Sequence, residues 1–140
     1  MKFIASALLT VTSALLSTFA GAAEMQPGMY ATTATMELPG AAPKTFQDKD
    51  CITEKDLAGG LTRIGIESDT DCKVQNLVKG GGKISYRLQC EEDGKKQVSD
   101  VAGTYTADSF DFAIKASGDN TPYKSMRVKG KRIGACKGSN

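Results

Sequence analysis

Histidine is missing from all 140 residues, and so is tryptophan. Without an imidazole, Ser-His-Asp and Cys-His mechanisms are excluded in their usual forms. No Gly-x-Ser-x-Gly elbow is present either. Zinc is disfavoured on similar grounds: there is no CxxC pair and no histidine to complete a tetrahedral set. Aromatic residues make up only 6% of the chain, and past residue 22 no apolar run is long enough to span a bilayer. An excess of charge of one sign is lacking too. Setting Lys2 aside leaves 17 Lys and Arg against 16 Asp and Glu, so bulk charge predicts no nucleic-acid partner.

The first residues have their own grammar. Met1-Lys2-Phe3 supplies one positive charge, and no charge follows up to Phe19. Leu8, Leu9, Val11, Leu15 and Leu16 form an apolar stretch, then Ala20-Gly21-Ala22-Ala23 supplies small side chains. That order predicts a secretory signal peptide over 1–22, cut between Ala22 and Ala23, with a cut after Ala23 as the alternative. The rival is a membrane anchor, but Ser6, Thr10, Thr12, Ser13, Ser17 and Thr18 interrupt the run. A lipid anchor needs a cysteine at the cut, and the first cysteine is Cys51. The expectation is a single domain over 23–140, periplasmic in a Gram-negative cell, with secretion as the alternative. No transmembrane segment is expected after cleavage.

Four cysteines, Cys51, Cys72, Cys90 and Cys136, read as two disulfides in an exported chain. The favoured pairing is Cys51–Cys72 with Cys90–Cys136, because directly opposite strand residues meet disulfide geometry poorly. A hairpin centred near Gly81 argues for the competitor, since it puts Cys72 almost opposite Cys90 and leaves Cys51 for Cys136.

Along the mature chain, alternation and turn residues predict strands. The first runs over 29–38 and a short extended piece over 44–48. Thr53 caps a short helix with Glu54 and Asp56 in its first turn, and Gly59-Gly60 ends it. Residues 61–71 are irregular and acidic. A strand over 72–78 and the glycine turn at 79–83 lead to the alternating Ile84, Tyr86, Leu88 and Cys90. Further strands are expected over 97–106, 110–115 and 122–131. The fold class is all-β with one short helix: an antiparallel up-and-down meander forming a strongly curved sheet or partly closed barrel.

Chemistry-bearing motifs are weak. Asp48 with Asp50, Asp69 with Asp71, and Glu91 with Glu92 and Asp93 are paired acids in turns or loops, which makes a hydrolase the last choice. Glu67-Ser68-Asp69-Thr70-Asp71 alternates oxygen ligands but lacks the glycine and final glutamate of a calcium loop. Lys79-Gly80-Gly81-Gly82-Lys83 joins two strands, so it reads as a turn and not as a phosphate cradle. After Asp119 there is no acid, yet Lys124, Arg127, Lys129, Lys131, Arg132 and Lys137 follow. Lys124, Arg127, Lys129, Lys131 and Arg132 form a candidate interaction face for an anionic surface. Tyr30, Phe46, Tyr86, Tyr105, Phe110, Phe112 and Tyr123 are candidate core residues. Some would line the interior of a cupped sheet, where a small apolar ligand could sit.

Five elements in order carry a resemblance. They are Pro27-Gly28-Met29-Tyr30, Cys51-Ile52-Thr53-Glu54, Asp71-Cys72-Lys73-Val74, Leu88-Gln89-Cys90 and Gly130-Lys131-Arg132-Ile133-Gly134-Ala135-Cys136. In these the chain resembles a family of small exported bacterial proteins, the domain of unknown function numbered 3617. Tyr30 stands where that family usually has tryptophan, and Ala135 where it usually has aspartate. The resemblance implies export, the fold and the cysteine pattern, and it leaves the chemistry open. The expectation is therefore a non-enzymatic exported domain without a cofactor, an envelope accessory or a module for a small apolar ligand. The alternative is a protein- or anionic-surface-binding module using the basic C-terminal strand. The partner classes are an envelope protein, an anionic surface or a small apolar ligand.

Overall fold

The glycine turn and the strand after it organise the structure, a computed structural model that describes residues 23–59, 71–118 and 121–138. Seven strands form: β1 (Gly28–Glu37), β2 (Lys44–Ile52), β3 (Asp71–Gly80), β4 (Lys83–Glu92), β5 (Lys95–Tyr105), β6 (Ser109–Gly118) and β7 (Ser125–Gly134). One helix, α1 (Glu54–Ala58), follows β2. Gly81 and Gly82 between β3 and β4 both have positive φ, 60° and 74°, as do Asp93 and Gly94 between β4 and β5. Two-residue loops with both φ positive match the twist of antiparallel strands, which sets both hairpins.

Every ladder is antiparallel, and the order is β2-β1-β7-β6-β5-β4-β3. This is the cyclic order of an up-and-down barrel, opened between β2 and β3. The sheet is not closed. Six antiparallel steps separate its edges, so β2 and β3 point the same way and cannot complete an antiparallel closure with each other.

One face is apolar and the other wet, as the alternation requires. Tyr30, Ile84, Tyr86, Leu88, Val101, Tyr105, Phe110, Phe112 and Val128 fill the inner face, joined by Ile52 and by Met25 from the segment before β1. Tyr30 is fully buried, its ring centroid 5.9 Å from that of Phe110, which lies 5.0 Å from Phe112. The Phe110 ring lies over Gly130, where any Cβ would collide with it. The aromatic core expected from the sequence holds for five residues, whereas Phe46 is 50% exposed and Tyr123 half-buried.

The favoured disulfide pairing is corrected. The bonds are Cys51–Cys136 and Cys72–Cys90. Cys72 and Cys90 are register partners with Cα atoms 4.1 Å apart, so two side chains on the same face meet directly. Cys51 ends β2 and Cys72 begins β3, and these parallel edges place them at opposite ends of the sheet. β2 is also longer than the short extended piece expected, and β7 lies about three residues later than its predicted start. The irregular acidic stretch falls almost wholly outside the described residues. No helix among the described residues is long and apolar enough to cross a membrane.

Candidate functional site

At the end of the sheet where β1 begins and β2 and β7 finish, three distant pieces of chain converge. Pro27 and Gly28 enter β1. Cys51 and Ile52 leave β2 for Thr53 and Glu54. Arg132, Ala135 and Cys136 end β7 and its tail. Together they line a cleft of about 330 Å³. That is near the lower end of small-molecule sites, which run from about 300 Å³.

Local structure explains the walls. The Thr53 hydroxyl accepts from the Asp56 backbone N–H at 3.2 Å, and the Thr53 N–H donates to Asp56 Oδ2 at 2.9 Å. This capping box starts α1 where the sequence placed it. Ile52 is buried, and the Cys51–Cys136 bond ties the wall built by β2 to the tail. Gly28 has φ +155°, and a Cβ there would meet Arg132 Nε and the Gly134 carbonyl at 2.5 Å. Only glycine lets the arginine lie this close to β1. Arg132 Nε donates to the Pro27 carbonyl at 3.0 Å, which fixes the guanidinium plane. Beneath it the Tyr30 hydroxyl donates to the Gln26 carbonyl at 2.6 Å. Burial raises the Tyr30 pKa, while the nearby Arg132 charge pulls it back.

The basic row is less free than its sequence suggested. Arg127 donates through Nε and Nη2 to both Asp111 oxygens at 2.8 Å. Lys129 Nζ lies 3.7 Å from Asp111, and Lys131 Nζ lies 3.2 Å from Asp108. Those pairs hold the Asp111 and Asp108 carboxyls below the usual range, chiefly through hydrogen bonds from Arg127 and Lys131. Arg132 faces the other side of the sheet, and Lys124 stays exposed ahead of β7. Alternation along the strand already separates Arg132 from Arg127, Lys129 and Lys131, a signal the grouping by charge passed over.

Of the paired acids, Glu91 and Asp93 share an open cleft of about 370 Å³ with Lys73, Gln89 and Gly94, whereas Asp48 lines a groove that Asp50 does not. Asp48 and Asp50 sit exposed on β2, where Asp50 accepts from the Thr32 hydroxyl at 2.8 Å and Asp48 from the Lys49 N–H at 2.7 Å. Glu91 and Asp93 are exposed near a hairpin turn. Asp69 and most of the candidate calcium loop, residues 67–70, lie outside the described residues. Among the described residues no three metal-ligating side chains come together. Lys79 is engaged by Glu24 at 2.9 Å and lies 5.4 Å over the Tyr105 ring.

Large apolar side chains surface elsewhere, on β3. Val74, Leu77 and Val78 are 41%, 44% and 67% exposed. Asn76, with φ +54°, sits at a register shift that places an extra residue in β3.

Fold and site define a class: a one-sided, disulfide-pinned antiparallel sheet with an arginine-bearing cleft at its pinned end. A family model described as a protein of unknown function, DUF3617, matches residues 25–136, and the chain belongs to that family. No curated protein and no solved structure matches the chain. Three of the five elements noted in the sequence line the cleft, and Ala135 is one of its walls.

Proposed function

We propose that this protein is an exported, non-enzymatic binding domain of the periplasm, and that the cleft at the Cys51–Cys136 end is its working surface. One observation carries the reading. Segments more than 100 residues apart are brought together to hold a single arginine against an apolar wall of Pro27, Ile52, Ala135 and a disulfide. Such a place suits a small ligand with an apolar body. The basic outer row supports an anionic-surface role less well, because Asp108 and Asp111 already meet Arg127, Lys129 and Lys131. The two disulfides fit folding in an oxidising compartment.

The test is a titration of ¹⁵N-labelled, oxidised protein with small apolar alcohols such as 1-hexanol. The expected result is movement of the Gly28, Ile52 and Ala135 amide signals, with the β3 and β4 signals still. Signals that move only elsewhere, or not at all, overturn the cleft as the site. For export, N-terminal sequencing of protein recovered from the periplasm of an expressing bacterium should read from Ala23. A chain still starting at Met1 would remove that part.

A further inference from the structure

We infer that the ligand of this cleft carries a carboxylate, received by the Arg132 guanidinium; this rests on the cleft being the binding site. The fold supplies its own comparison. Three arginines lie among the described residues. Arg87 forks onto Asp100 through Nε at 2.7 Å and Nη2 at 3.2 Å, and Arg127 forks onto Asp111 at 2.8 Å through both nitrogens. Arg132 is the exception. Its Nε is spent on the Pro27 carbonyl, and among the described residues its terminal nitrogens have no carboxylate within ion-pair distance. It is nevertheless half-buried, in a cleft whose other walls are largely apolar. A guanidinium held in place, partly desolvated and missing its anion favours a planar, two-oxygen partner.

The charge of the site narrows the class. Glu54 is the one carboxylate on the cleft wall, and it lies beyond pairing distance of Arg132. A single cation facing a nearby acid suits a monoanion better than a phosphate carrying nearly two charges. The other acids near this end have partners of their own: Asp108 is turned to Lys131, Asp50 accepts from the Thr32 hydroxyl, and Asp56 accepts from Thr53 in the capping box. The apolar lining of Pro27, Ile52 and Ala135 then takes a short hydrocarbon body. The class is a small amphipathic carboxylate.

The experiment uses the oxidised protein and four probes: hexanoate, 1-hexanol, hexylammonium and inorganic phosphate. Binding is read from the amide signals of Gly28, Ile52 and Ala135. Hexanoate should bind about tenfold more tightly than hexanol, the scale of one charge-assisted hydrogen bond, and hexylammonium more weakly than either. Arg132→Gln should erase the preference. Ala135→Asp leaves Arg132 and its backbone bond in place but adds a competing acid to the wall, and should erase it as well. That second variant keeps the inference exposed should Arg132→Gln fold poorly. Equal binding of hexanoate and hexanol at the cleft overturns the carboxylate while sparing the cleft. Phosphate outcompeting hexanoate there also overturns it. If no probe moves those three amides, the cleft and the carboxylate fall together.

Discussion

The two edges of the sheet solve one problem differently. An edge strand carries unpaired backbone groups that invite another strand to add on. β2 carries Lys44, Asp48, Lys49 and Asp50 in the open, and every residue from Lys44 to Cys51 is exposed. Its far end is anchored, since Ile52 is buried and Cys51 is bonded across β1 to the tail beyond β7. β3 has apolar Val74, Leu77 and Val78 in the open, interrupted by the shift at Asn76. Its disulfide reaches only its own hairpin partner. Charge guards one edge and distortion the other. One bond braces distant parts of the chain, while the other reinforces a contact that the turn already makes.

The largest expected effect breaks that contrast directly. Replacing Cys51 and Cys136 together by alanine releases a closure over 85 residues, worth about 4–5 kcal/mol in loop entropy. Replacing Cys72 and Cys90 together releases a closure over 18 residues, worth about 3 kcal/mol. Denaturant unfolding of both double variants measures the difference. Equal losses, or a larger loss for Cys72–Cys90, would mean that the long bond braces nothing. Next comes Ile52→Ala, expected to cost about 2–4 kcal/mol because it hollows the anchored end of β2. The same titration should show the cleft signals, Gly28 and Ala135 above all, shifting in that variant.

How much of this could be read beforehand follows from which residues carry a local signal. Ile84, Tyr86 and Leu88 alternate against polar neighbours, and that pattern alone finds β4 and its inner face. The Thr53 cap and the Gly81-Gly82 turn are local chemistry, so they too were legible. The signal for β2 stops short of its true end because both its faces meet water, and a strand without an apolar stripe leaves no period to find. The disulfides depend on which strands become the edges, a property of the whole topology. The cleft was harder still. Its elements stood out singly as landmarks, but only the β1–β2 and β1–β7 ladders bring Gly28, Ile52 and Arg132 together. Arg132 sits in a run of its own sign, and charge counting cannot tell which face a strand residue takes.

Acid tests the wet face that both edges share. Asp111, Asp108 and Asp100 are held below the ordinary carboxyl range by Arg127, Lys131 and Arg87 respectively. In the unfolded chain they take up protons at a higher pH than in the folded one. Their contribution is therefore present above the unfolded value near pH 4 and is lost as pH falls below it. Asp111→Asn should flatten the decline in stability below pH 4 and leave stability at pH 7 slightly lower. At the other extreme, burial pushes Tyr86 up to about 12. The unfolded chain then ionises first, so stability holds below pH 10 and falls between pH 10 and 12. Absorbance at 295 nm, followed with unfolding, should place the last tyrosine to titrate at the pH where the fold is lost.

The smallest effect on stability belongs to the bare edge. Val78 is 67% exposed and points to the wet face opposite Ser85, so Val78→Lys should change stability by no more than about 0.5 kcal/mol. Its consequence should appear in association. A lysine on an edge strand is a common guard against strand addition, and β3 lacks the charge density that β2 carries on its own edge. Dynamic light scattering at high concentration should show Val78→Lys less self-associated than the parent. The converse change on the guarded edge, Lys49→Val, should raise association. If both variants associate like the parent, the two edges are protected by their backbones alone, and the contrast between charge and distortion carries no energetic weight.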